Sequence, residues 1–155
     1  MKLYTNRFKS YIDACATILG LDQYNGELEF EYKKKLDQDA AGYCWDNDDG
    51  DVTIQIATHV QGEKLPIEDV LSNIAHEMIH AQQIASGRMK DFGVQLASAG
   101  DCQTIVHAVE WEGEVVTNVP YDDQPWEIEA YGNEERICAE ASQLIPFKDY
   151  ERYYG

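Results

Sequence analysis

Positive charge is scarce in this chain: 12 Lys and Arg stand against 29 Asp and Glu, a formal net charge of -17 over 155 residues. Such a surface repels phosphate backbones and anionic membranes, so nucleic acid and membranes are not expected as partners. The acidity serves solubility, with a basic peptide or mimicry of nucleic-acid charge as the sharper alternatives. Cysteine is limited to Cys15, Cys44, Cys102 and Cys138, with no C-x-x-C pair, so zinc-ribbon spacing is missing. Each lies in or near an apolar pattern, which predicts buried, reduced thiols. No apolar run approaches the ~20 residues of a membrane span, and the N-terminus lacks a signal-like apolar core. The expectation is a soluble, intracellular, cytoplasmic protein. Repeats, linkers and low-complexity tracts are also missing, so residues 1–155 read as one domain able to bury a core without staples.

What is present is periodic. Phe8, Tyr11, Ile12, Cys15, Ile18 and Leu19 recur at helical spacing, with Thr5 or Asn6 as cap and Gly20 as stop. After the Asn25-Gly26 turn, Leu28, Phe30 and Tyr32 alternate with glutamates, as a half-buried strand does. Tyr43 and Trp45 alternate next, then Val52, Ile54 and Ile56, and these three segments predict an antiparallel meander. Between the last two, Asp46 and Asp48 fit the first ligand positions of a calcium loop. Gly50 falls where the third ligand belongs and no Glu closes the loop, so a hairpin turn is expected.

Pro66 opens a second helix, with Glu68 and Asp69 in its dipole-favoured first turn and Gly87 at its end. Ile67, Val70, Leu71, Ile74, Ala75, Met78, Ala81 and Ala85 form its apolar arc. A strand around Ile105, His107 and Val109, a turn at Glu112-Gly113 before Val115-Val116, and a polar loop from Asn118 to Gln124 follow. Pro125 starts the last helix, which runs to about Leu144. Ala130, Ile137, Cys138, Ala141, Leu144 and Ile145 mark its buried face. The tail, Phe147 to Tyr153, is expected to dock on the body. The mixture is that of an α+β domain.

Inside the second helix lies His76-Glu77-Met78-Ile79-His80, an H-E-x-x-H pattern. Residues four apart stack on one helix face, so the two imidazoles can hold one metal ion together. Glu77 sits on the adjacent flank as a general base for an attacking water, the arrangement that zinc-dependent peptide hydrolysis needs. Both imidazoles point nearly opposite the centre of the apolar arc, on the side of Asp69, Asn73 and Gln83, which predicts a polar cleft there.

A catalytic zinc takes three protein ligands, and the candidates for the third are Glu127, His107 and Glu129. On the last helix Glu127 lies about 45° from the centre of the buried face and Glu129 about 115° away. Glu127 is therefore an inward carboxylate in need of a partner, and Glu129 an ordinary solvated residue. Glu134, one further turn along and also inward, is placed to hydrogen-bond a ligand imidazole.

The run from Ile74 through the H-E-x-x-H residues to Gln83, followed by Pro125-Trp126-Glu127-Ile128-Glu129-Ala130-Tyr131, resembles phage-encoded zinc metallopeptidases. These belong to the zincin group, which includes the gluzincin and SprT-like families, and the resemblance spans residues 40 to 140. It implies a zincin-like fold with a small antiparallel sheet, bound Zn2+, a peptide or protein substrate and, for a phage protein, the host cytoplasm. In gluzincins a Glu on a second helix is the third ligand. Glu127 matches it, with Tyr131 standing where the supporting Asp or Asn usually falls. Glu129 with Asn133 meets the same spacing. SprT-like relatives use a third His, which keeps His107 a candidate. The resemblance further implies that an edge strand, Val52 to Thr58, pairs with extended substrate. Hydrolysis of this kind also calls for a second donor to the developing oxyanion, with Tyr121, Tyr131 and His107 as candidates among which the sequence does not choose. The rival from another class is a non-enzymatic acidic interaction protein on the same scaffold, with structural zinc or none.

Overall fold

Apolar side chains recur every third or fourth residue in three long segments and every second residue elsewhere, and the elements follow those periods. The computed structural model describes residues 1–145; the aromatic tail expected to dock lies outside them. In chain order the elements are β1 (Lys2–Tyr4), α1 (Lys9–Ile18), β2 (Glu27–Lys33), β3 (Gly42–Asp46), β4 (Val52–Ala57), a short ribbon of β5 (His59–Val60) and β6 (Glu63–Lys64), α2 (Ile67–Ala85), β7 (Met89–Ala99), β8 (Cys102–Trp111), β9 (Glu114–Thr117) and α3 (Pro125–Leu144). The result is one α+β domain. No described helix is long and apolar enough to cross a membrane.

The first sheet departs from the expected meander. Its order is β1-β2-β4-β3, with β2 and β4 parallel and β3 antiparallel to β4. A tight turn at residues 47–51 fixes the β3–β4 hairpin, and Asp48 and Asp49 take positive φ there. The eight residues between β2 and β3 are long enough for β3 to pass over a strand position, leaving the centre to β4. Burial favours that choice, because Val52, Ile54 and Ile56 are all but inaccessible to solvent. Consequently Val52 to Thr58 is not an edge: β1 and β3 are, and β3 is the edge that packs against α2. Its faces also differ from expectation: Gly42 and Cys44 share the inner face with Ile56 and Ile54. Tyr43 and Trp45 turn outward and pack on each other, ring centroids 5.4 Å apart.

Helix α2 lies on the inner face of this sheet, and α1 and α3 pack against it. Ile12, Leu28, Ile54, Ile74, Met78 and Ile137 form the centre of the core, with Ala75, Ala130 and Ala141 fully buried where the helices meet. Small residues at such crossings let two helices approach closely, which here brings the first turn of α3 to the middle of α2. Helix α1 is not capped by Thr5 or Asn6. Thr5 Oγ1 is engaged with Arg7 and the Tyr32 hydroxyl, and Phe8 enters the helix from a left-handed conformation. Gly20, at φ 66°, ends it as expected.

The second sheet, β7-β8-β9, is antiparallel, and only its β8 and β9 segments and the Glu112-Gly113 turn are visible in the sequence pattern. A bulge between Asp91 and Gly93 shifts the register of β7 and breaks its alternation. All four thiols are free, Cys15 buried, Cys44 and Cys138 half-buried, and Cys102 exposed against expectation. Leu144 is exposed as well, leaving Ile137, Ala141 and Ile145 to carry that end of α3.

Candidate metal centre

The packing of α2 on α3 brings His76, His80 and Glu127 to one point. His76 Nε2 lies 3.0 Å from Glu127 Oε2, and His80 Nε2 lies 3.1 Å from Glu127 Oε1. The two Nε2 atoms are 3.2 Å apart. A tetrahedral ion with bonds of about 2.0–2.1 Å has ligand edges of about 3.3 Å. Three donors already spaced at close to that edge can hold such an ion, and two histidines with a carboxylate suit zinc among other divalent metals. The helical wheel is answered here: Glu127, at the third position of α3 behind Pro125, reaches both imidazoles.

Each imidazole is oriented through its other nitrogen. His76 Nδ1 meets Glu134 Oε2 at 2.7 Å, the bond expected from the inward placement of Glu134. His80 Nδ1 meets Gln83 Oε1 at 2.8 Å, one helical turn along. Tyr131, at the position where a supporting Asp or Asn was expected, packs its ring 4.5 Å from that of His76, and Glu134 takes the supporting role.

The other two candidates for third ligand are engaged elsewhere. His107 lines the same cleft, but its Nε2 is 2.7 Å from Asp91. Glu129 is not an ordinary solvated residue: Arg88 grips both its oxygens, at 2.6 and 2.8 Å. That ion pair has no signature in local periodicity, because Arg88 follows α2 and Glu129 sits on α3.

His76, Glu77 and His80 are 5–8% exposed, so the face opposite the apolar arc is covered rather than open. What remains is a cleft of about 480 Å³, walled by β3, α2, the start of β7 and the start of α3. Glu77 lines it, and among the described residues no hydrogen-bond donor meets its carboxylate. Burial pushes that carboxyl up to about 7, against the pull of the neighbouring imidazoles. Burial also raises Glu127, yet the hydrogen bonds from His76 and His80 outweigh it and bring that group down to about 2. Burial lowers His76, but its bond to Glu127, the charge of Glu77 and the bond to Glu134 together hold it up at about 9. His80 is raised for similar reasons.

Room for Glu77 is made by a glycine with no sequence signal. A Cβ on Gly42 would sit 2.8 Å from Glu77 Oε1, 3.0 Å from its Cγ and 3.2 Å from the Gln55 carbonyl oxygen. Gly42→Ala should therefore cost about 1–3 kcal/mol, read as a lower thermal midpoint, and displace the Glu77 carboxylate. An unchanged midpoint would mean that β3 retreats without strain.

At the mouth of the cleft, the Tyr121 hydroxyl is 2.7 Å from that of Tyr131 and donates to Glu127 Oε2 at 3.3 Å. Two of the three residues considered for the oxyanion thus stand beside the donor triangle, while His107 is paired with Asp91. Compared with known proteins, the chain matches no family model, no curated protein and no solved structure.

Proposed function

We propose that this protein is a zinc-dependent metallopeptidase of the zincin type that hydrolyses peptide bonds. The observation that carries the reading is the convergence of His76, His80 and Glu127 beside a buried carboxylate, Glu77, that accepts no hydrogen bond among the described residues. A structural site would not need that carboxylate, and a buried carboxylate balanced only by the charge of nearby imidazoles is costly unless it has work to do. Zinc, when bound, polarises a scissile carbonyl and acidifies the attacking water. Glu77, with its affinity for protons raised by burial, takes the proton of that water and passes it to the leaving amine. The paired hydroxyls of Tyr121 and Tyr131 offer a donor to the oxygen that gains charge. The free edge of β3, in place of Val52 to Thr58, offers backbone groups to an extended substrate chain. An acidic surface favours peptides with basic residues near the scissile bond.

Elemental analysis and cleavage of a fluorogenic peptide library test the proposal together. Stoichiometric zinc with chelator-sensitive cleavage is expected. Stoichiometric zinc without cleavage of any peptide would favour a structural ion, and no zinc would favour the non-enzymatic interaction protein.

The same charges predict how the metal-free protein responds to pH. The folded-state pKa of His76 is raised from 6.5 to about 9, so its contribution is full below 6.5 and lost as pH rises through 9. Glu77 is raised from 4.5 to about 7, so its folded form also holds a proton that rising pH removes. Both act in one direction: chelator-treated protein should lose a few kcal/mol between about pH 5 and pH 9, measured by denaturant titration. Stability that climbs across this range would contradict the charge arrangement.

A further inference from the structure

Gln83 is completely buried, and its side chain bridges the metal centre to an ion pair that touches no ligand. Its Oε1 faces His80 Nδ1 at 2.8 Å, and its Nε2 donates to the Trp126 carbonyl oxygen at 3.0 Å and to Glu129 Oε1 at 3.2 Å. The amide has one workable orientation. Turned over, it would set its oxygen against a carbonyl and a carboxylate, two acceptors with no proton between them. Glu129 is itself held by the bidentate grip of Arg88, whose guanidinium also bonds Glu112 and lies 4.9 Å over the Trp111 ring. We infer that Arg88, Glu129 and Gln83 form a positioning relay that sets the tautomer of His80. With Gln83 Oε1 locked as an acceptor, His80 keeps a proton on Nδ1, so that when Nε2 gives up the proton it shares with Glu127 to bind an ion, its lone pair points at the donor triangle. This inference rests on the metal-site reading above and goes beyond it, because it assigns work to three residues outside the ligand set.

The relay differs from a packing role in a measurable way. Gln83→Met keeps length and volume but removes the acceptor, whereas Gln83→Glu keeps an acceptor for His80 and, held protonated between the Trp126 carbonyl and Glu129, keeps a donor as well. If Gln83 only fills space, Met is the milder change. If it holds the His80 proton, zinc affinity falls about 10–100-fold in Gln83→Met and stays close to wild type in Gln83→Glu. Competition titration against a chromogenic chelator measures this. An equal loss in both variants, or none in Gln83→Met, overturns the relay.

Nitrogen-15 NMR of the metal-free wild-type protein gives an answer even if the variants misfold. The relay predicts a proton on His80 Nδ1 that Gln83 protects from exchange with water, with loss of that protection in Gln83→Met. A wild-type His80 with no proton on Nδ1, as a turned-over Gln83 amide would leave it, overturns the relay. Failure of wild-type protein to bind zinc at all would count against the metallopeptidase reading and leave the tautomer result to decide the relay.

Discussion

On the proposed metallopeptidase reading, Glu77→Gln is expected to lower the rate of peptide hydrolysis by about 10²–10⁴-fold while zinc stays bound. Gln has the shape of Glu and fits beside Gly42, but it cannot accept a proton from water. The variant should also be more stable above pH 7. There the wild-type carboxylate is ionised in a buried setting that pushes its pKa up to about 7, and a neutral amide removes the strain of that charge. The two effects come from the same cause, which is burial with no hydrogen-bond donor among the described residues. Parallel measurement of zinc content, turnover and thermal midpoint checks them. Unchanged turnover in a zinc-loaded variant would remove Glu77 from the chemistry, and loss of zinc would show that it serves the site in some other way.

On the same reading zinc stabilises the fold, and His76→Ala is expected to erase that stabilisation. A ligand at a thousand times its dissociation constant adds about 4 kcal/mol to folding. For a domain of this size that corresponds to roughly 8–16 °C in midpoint, at about 2–4 °C per kcal/mol. Removing one of three ligands, and with it a partner of Glu127 and of Glu134, should reduce the shift between chelator and excess zinc to near zero. His107→Ala should leave it intact, since that imidazole is turned to Asp91. Differential scanning calorimetry with and without zinc compares the three proteins. An undiminished shift in His76→Ala would place the ion elsewhere.

The pairing of Glu127 with both imidazoles shows how far local geometry reaches. An α-helix turns by a constant angle per residue, so the sequence determined that His76 and His80 share a face and that Glu127 and Glu134 point inward. It likewise determined the three helices and their stops at Gly20 and Gly87, and the inward face of β2 and β4. The tertiary structure alone decided the rest. Strand alternation names a face but not a neighbour, so the order β1-β2-β4-β3, the edge position of β3 and the outward turn of Tyr43 and Trp45 were settled by competition for the buried centre. The bulge in β7 erased the very period by which a strand is recognised. Gly42 makes room for Glu77 from 35 positions away, and Arg88 draws Glu129 out of solvent across two elements. Such contacts join residues far apart in the chain, and no local period records them. The motif and its third partner could be read one helix at a time because helical periodicity is local, whereas the cleft, its free edge and the clamp behind His80 exist only once helices and sheets have packed.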